Sequence, residues 1–105
     1  MAQNQISVTD WKPMRKGALR GFASVSMPSG MILREVSILQ SNGRPWASPP
    51  SKPMLDRDGR AMVDDAGKRR YSAIIEFASK ETRDRWSAAV IVALREAHPE
   101  ALGDE

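Results

Sequence analysis

Two alternating apolar runs joined by a tight turn constrain the fold more than any other feature of this sequence. Residues 18–27 and 31–40 each alternate apolar and polar side chains with a period of two, which is typical of β-strands with one buried face. Pro28-Ser29-Gly30 lies between the runs and contains residue types that tight turns favour. The sequence therefore predicts a β-hairpin over residues 18–40.

The second run of this hairpin also predicts which side chains share a face. Strict alternation places Ile32, Val36 and Ile38 on one side of the strand, while Leu33 and Leu39 lie on the other. If one face is buried, this pattern separates Leu33 from Val36.

Shorter runs predict three further strands. Residues 6–11 form the first, and a basic connection over residues 12–17 follows it. The Asn42-Gly43 dipeptide predicts a turn before a short strand at residues 45–48, where the initial proline is compatible with a sheet edge or with the start of a strand. Residues 71–77 predict the last strand.

A change of composition separates these strands from the last one. Residues 49–53 are proline-rich and predict an extended segment. Residues 53–70 are polar and predict an arm or loop, with a small hairpin around Asp58-Gly59 as the alternative. No internal repeat is predicted.

The C-terminal part predicts one amphipathic helix. Ser79 is a suitable N-cap, residues 80–97 have helical periodicity, and a proline ends the helix. Residues 88–94 are apolar nearly all round, and Ile91 and Val92 lie off the predicted core stripe. We therefore expect Ile91 and Val92 to form a dimer interface. Residues 99–105 predict a loose acidic tail.

These elements give one domain over residues 1–105. The predicted class is α+β, a small antiparallel sheet of about four to five strands with a C-terminal α-helix. A chain of this length buries a modest core, which favours completion by a homodimer.

Composition limits the chemistry of the chain. Cysteine is absent and histidine occurs once, at His98, so thiolate sites and histidine clusters for zinc are excluded. We find no credible nucleophile and base pair, and expect no enzyme, cofactor, metal or small-molecule substrate. The absence of cysteine, a signal peptide and an apolar span predicts a cytoplasmic protein without membrane association. The net charge of +3 permits a polyanionic partner.

Basic residues cluster in the C-terminal half. Lys68-Arg69-Arg70 is the densest group, and Arg83 and Arg85 begin the helix. Such groups contact nucleic-acid phosphates, although Asp64 and Asp65 could instead make the first one a solvated loop end.

Several motifs together resemble the SpoVG family, the bacterial septation and sporulation-stage regulators. They are Val8-Thr9-Asp10, Gly21-Phe22-Ala23-Ser24-Val25 with Leu33-Arg34-Glu35-Val36, Ser41-Asn42-Gly43, Pro50-Ser51-Lys52, and Ser79 with Thr82-Arg83. The arm before Tyr71 is longer here than in typical members. The resemblance implies a small α+β domain that dimerises through its strands and binds DNA, with RNA as a second candidate, in a regulatory role.

The resemblance carries Lys52 and Arg83 over as nucleic-acid-binding residues. Charge clustering adds Lys68, Arg69, Arg70 and Arg85. Two alternatives remain open. One is a protein-interaction or assembly module without nucleic-acid binding. The other is a four-strand-plus-helix binder of single-stranded DNA, which would need a basic, aromatic-bearing sheet face.

Overall fold

A four-stranded antiparallel sheet and one helix form the body of the protein. A computed structural model describes residues 5–103. The strands pair in chain order: β1 (Ser7–Lys16), β2 (Leu19–Ser26), β3 (Ile32–Ser41) and β4 (Arg44–Ser48). The helix α1 (Lys80–Ala97) packs on one face of the sheet. The predicted α+β class is confirmed.

The turns of the sheet follow the predicted chemistry. Gly30 donates its N–H to the Met27 carbonyl at 2.9 Å and has a φ of 95°, so the turn at residues 28–30 needs a residue without a Cβ. Asn42 and Gly43 both have positive φ, 54° and 76°, between the paired residues Ser41 and Arg44. This is the two-residue turn that the Asn-Gly dipeptide predicts.

A β-bulge in β3 changes which side chains are buried. Ala23 pairs with Val36, but Val25 pairs with Leu33. Two residues of β3, Arg34 and Glu35, therefore lie opposite the single residue Ser24 of β2. Leu33 therefore packs against the core beside Val36, and Ile32 is 53% exposed. The prediction that Leu33 and Val36 lie on opposite faces is wrong, because the bulge interrupts strict alternation.

The bulge is made by a residue in a strained conformation. Glu35 has a φ of 59°, in the left-handed region that costs a residue with a Cβ about 1–2 kcal/mol. Arg34 and Glu35 occupy the extra space of the bulge and face away from the helix, where they line a depression.

Strand β1 is longer than predicted. Residues 12–16, expected to form a connection, continue the strand and pair with β2. Pro13 is tolerated because β1 is an edge strand and one side of its backbone needs no partner in the ladder.

The core lies between the sheet and the helix. The fully buried side chains are Val25, Val36, Ile38, Val90 and Leu94. The helix has the predicted bounds and N-cap, with the Thr82 N–H donating to the Ser79 hydroxyl at 3.1 Å.

The helix buries a wider arc than its spacing predicts. Ile91 is 6% exposed and belongs to the core of the single chain, whereas Val92 is 58% exposed. The prediction that Ile91 lies off the core stripe is wrong, so burying Ile91 does not require a second subunit. Only Val92 of this pair is available to a partner.

The chain beyond the helix contributes to the core. Leu102 is 2% exposed and Ala101 packs against the same cluster. The Ala101 N–H donates to the His98 carbonyl at 3.0 Å, which turns the chain back after α1. The expected loose tail is therefore wrong for residues 99–103, and Asp104 and Glu105 lie outside the described residues.

A second small sheet of two strands lies beside the main sheet. β5 (Ser51–Pro53) pairs antiparallel with β6 (Tyr71–Ala73). The strand predicted over residues 71–77 is thus shorter and does not join the main sheet. Pro49 and Pro50 lack N–H groups, so the chain cannot extend the β4 ladder and begins a separate pair. No helix in the described part of the chain is long and apolar enough to cross a membrane.

A side-chain hydrogen bond joins α1 to the edge strand β4. The Ala47 N–H donates to the Ser87 hydroxyl at 2.8 Å, and Ala47 is 5% exposed. We expect Ser87→Ala to lower the free energy of unfolding by about 1–3 kcal/mol, because the buried N–H loses its acceptor. Urea unfolding measures this, with exposed Ala88→Ser as the control. An unchanged midpoint for Ser87→Ala would contradict the assignment.

Candidate nucleic-acid interface

The polar arm, predicted over residues 53–70, contains two similar turns that follow the end of β5 at Pro53. In the first turn, the Asp56 carboxylate accepts the N–H groups of Asp58 and Arg60, each at 2.9 Å. Gly59 closes the turn with a φ of 79° and donates to the Asp56 carbonyl. The predicted hairpin around Asp58-Gly59 is present as this turn and a bridge between Leu55 and Ala61.

The second turn repeats the first eight residues later. The Asp64 carboxylate accepts the N–H groups of Ala66 and Lys68 at 2.9 and 3.0 Å, and Gly67 has a φ of 82°. The two units read MLDRDGRA and MVDDAGKR in the sequence. The expectation of no internal repeat is wrong. The recurring Met-x-Asp-x-x-Gly-basic spacing is the signal that would have revealed it.

Backbone hydrogen bonds tie the two turns to the second sheet. Met62 donates to Met54, Arg70 donates to Met62, and Met54 donates to Arg70, at 2.8, 2.8 and 2.9 Å. These three residues lie eight positions apart and close a ring of backbone bonds. The backbone of the arm is thereby hydrogen-bonded from one turn to the next, although its side chains are half-buried or exposed.

Four of the six predicted binding residues lie on β5 and at the end of the arm. Lys52 pairs with Ser72, and the backbone bond between Met54 and Arg70 continues the register. Because alternate residues share a face, Lys52 and Arg70 lie on the same side of the β5–β6 pair. Lys68 and Arg69 follow directly from the second turn, and all four cations are exposed.

The two helix residues are less well placed. Arg83 lies 3.5 Å from Asp84 through its guanidinium and lines a depression with Pro49, just before β5. Arg85 is two positions further along the helix, which rotates it by about 200°. The structure therefore puts Arg83 beside the base of the arm and turns Arg85 away from Arg83.

The sheet face opposite the helix carries residues that the sequence analysis did not single out. Phe22 lies on the central strand β2 and is half-buried. Lys12 on β1 pairs with Phe22. Arg34 and Glu35 of the bulge line the same depression as Phe22. The consecutive charges of Arg34 and Glu35 within an alternating strand are the sequence signal for this bulge.

The single histidine and the acidic side chains are the other candidates for chemistry. His98 is half-buried at the helix C-cap, with Nδ1 3.7 Å from a Glu100 oxygen. Between residues 5 and 103, no group of three or more acidic, histidine or cysteine side chains is placed to hold a metal ion.

Comparison with known proteins does not supply an identity. No family model, curated protein or solved structure matches this chain.

Proposed function

We propose that this protein is a small nucleic-acid-binding regulator that acts as a dimer in the manner of the SpoVG family, on DNA or RNA. The observation that carries the proposal is the exposure of four cations on β5 and at the end of the arm, Lys52, Lys68, Arg69 and Arg70, with Lys52 and Arg70 on the same side of the β5–β6 pair. Exposed cations on a hydrogen-bonded backbone contact phosphates with less loss of conformational freedom than cations on an irregular loop.

The acidic residues of the arm offset these cations only in part. Together with β5 and β6, the arm spans residues 51–73, which contain six lysine and arginine residues and four aspartates. Two of the aspartates, Asp56 and Asp64, direct a carboxylate oxygen at two backbone N–H groups each. Their negative charge is therefore partly compensated within the turns, which favours an anionic partner for the arm.

A salt titration tests the proposal. Labelled single-stranded and duplex oligonucleotides should bind at low salt, and four phosphate contacts predict about a hundredfold loss of affinity between about 50 and 200 mM salt. The loss arises because each cation releases condensed counterions from the nucleic acid. Binding that is absent at low salt, or that does not change with salt, would contradict the proposal.

A protein-interaction module is the second candidate function. Val92 is 58% exposed and lines a depression with Ile6, Pro28 and Ala89. An exposed apolar group of this kind is typical of a surface that meets another protein. Absence of oligonucleotide binding at low salt would favour this second function.

A further inference from the structure

We propose that the sheet face opposite the helix binds an unpaired base of a single-stranded nucleic acid, stacked on Phe22 and Tyr71 and recognised by the carboxylate of Glu35. This inference rests on the proposed function and names the form of nucleic acid that the protein selects.

Two adjoining depressions on this face form the candidate site. One has a volume of about 360 Å³ and the other about 320 Å³. Phe22 and Glu35 line both depressions, so the two depressions are adjacent. Small-molecule sites begin at roughly this size, so each depression has room for a group such as a base.

The aromatic residues come from different sheets. Phe22 lies on β2, and Tyr71 stands on β6 with Ser51 and Ser37 lining the same depression. Alternation along β6 turns Tyr71 towards the main sheet, while Lys52 and Arg70 take the outer side of the β5–β6 pair. Tyr71 is 55% exposed, so burying it against the core does not account for its position. A base would bury its ring.

The charges around the floor suit a base and its phosphates. Lys12 and Arg34 line the first depression with Asp10 and Glu35, and none of the four has an ion-pair partner within residues 5–103. Unpaired cations contact phosphate oxygens, and an unpaired carboxylate accepts hydrogen bonds from the amino group of a base. A purely anionic ligand would leave the two carboxylates without a partner, and a purely apolar ligand would leave all four charged groups without one.

The backbone at Glu35 supports its role in recognition. A left-handed φ of 59° at a glutamate is unfavourable, and such conformations concentrate where a side chain has a function. The bulge leaves both Arg34 and Glu35 on the face that carries Phe22, whereas strict alternation from the buried Val36 would have turned Arg34 towards the helix.

Duplex nucleic acid does not fit such a site. The faces of paired bases are already stacked on their neighbours, so only an unpaired base offers a free face to an aromatic ring. The arm, by contrast, contacts phosphates of either form. The sheet face should therefore affect the binding of single strands alone, whereas the arm should affect the binding of single strands and duplexes.

Fluorescence anisotropy with oligonucleotides of about 12 nucleotides tests the aromatic floor. Tyr71→Ala and Phe22→Leu should weaken binding of single-stranded oligo-dA and oligo-dC by about 5- to 150-fold, because stacking is lost. Binding of a duplex of equal length should change by less than about twofold. Tyr71→Phe and Phe22→Tyr retain a ring and serve as matched controls. Tyr71 is exposed, so its variant tests the site even if Phe22→Leu fails to fold.

The Glu35 carboxylate is tested through base preference. Wild-type protein should prefer oligo-dA and oligo-dC over oligo-dT, because thymine has no amino group to donate. Glu35→Gly should abolish this preference while leaving the melting temperature unchanged or raised, because glycine adopts the left-handed conformation without strain. Glu81→Gly, on the exposed first turn of the helix, is the control for loss of a carboxylate.

Three outcomes would overturn the inference. They are unchanged single-strand affinity in Tyr71→Ala and Phe22→Leu, equal affinity of the wild type for duplex and single strand, and an unchanged preference over oligo-dT in Glu35→Gly. In each case salt-dependent binding through the arm would still support the proposed function. Failure of every oligonucleotide to bind at low salt would overturn both.

Discussion

Replacement of Gly21 by alanine should lower the free energy of unfolding by about 3 kcal/mol, the upper part of the range for overpacking a filled site. A Cβ on Gly21 would lie 2.5 Å from the Lys12 carbonyl oxygen and 2.6 Å from Cη2 of Trp11. The carbonyl belongs to the backbone of β1, which pairs with β2 at this point, so it cannot rotate away. The strand or the Trp11 ring must shift instead.

Chemical denaturation monitored by Trp fluorescence measures this loss. Gly17→Ala is the matched control, because a Cβ there meets no atom within 4 Å although Gly17 has a φ of 60°. It should cost about 1 kcal/mol through backbone strain alone. A loss for Gly21→Ala no larger than that for Gly17→Ala would show that the close approach of β1 to β2 is not essential.

Neutralising the end of the arm should have the largest effect on binding. The triple variant Lys68→Gln, Arg69→Gln, Arg70→Gln should reduce affinity for duplex DNA by about a hundredfold to a thousandfold at about 0.1 M salt, and the slope of log affinity against log salt by about 2.7. The reason is the loss of three phosphate contacts and of the counterions they release. Salt titrations by fluorescence anisotropy measure both quantities.

A variant with the same change in net charge distinguishes local contact from general attraction. Lys16→Gln, Arg44→Gln, Arg95→Gln removes three exposed cations outside the arm. It should change the slope by less than about 0.5, because only cations at phosphates release counterions in this way. Equal slopes in the two triple variants would remove the arm from the interface and leave only long-range attraction.

Local signals were sufficient for the regular elements. Pro28-Ser29-Gly30 and Asn42-Gly43 specify turns through φ angles that few other residues adopt, and Ser79 specifies the start of the helix by accepting the N–H of Thr82. Each depends on atoms within a few residues. The central hairpin, the Asn-Gly turn and the helix bounds were therefore predictable without knowledge of the rest of the chain.

The candidate sites depended on contacts between distant residues. The bulge at Glu35, the pairing of Lys52 with Ser72 and the approach of Tyr71 to the face that carries Phe22 join residues far apart in the chain. Ile91 is buried in a core that the chain beyond the helix completes through Leu102. Spacing within one element cannot report such partners.

The sequence by itself thus determined the turns, the central hairpin and the single capped helix, since these follow from backbone preferences and the period of the apolar residues. The tertiary structure decided which faces are buried, how the arm folds on its repeat, and which charges and rings meet. The physical reason is that burial and proximity depend on packing between elements, and one bulged residue is enough to redirect the side chains of a strand.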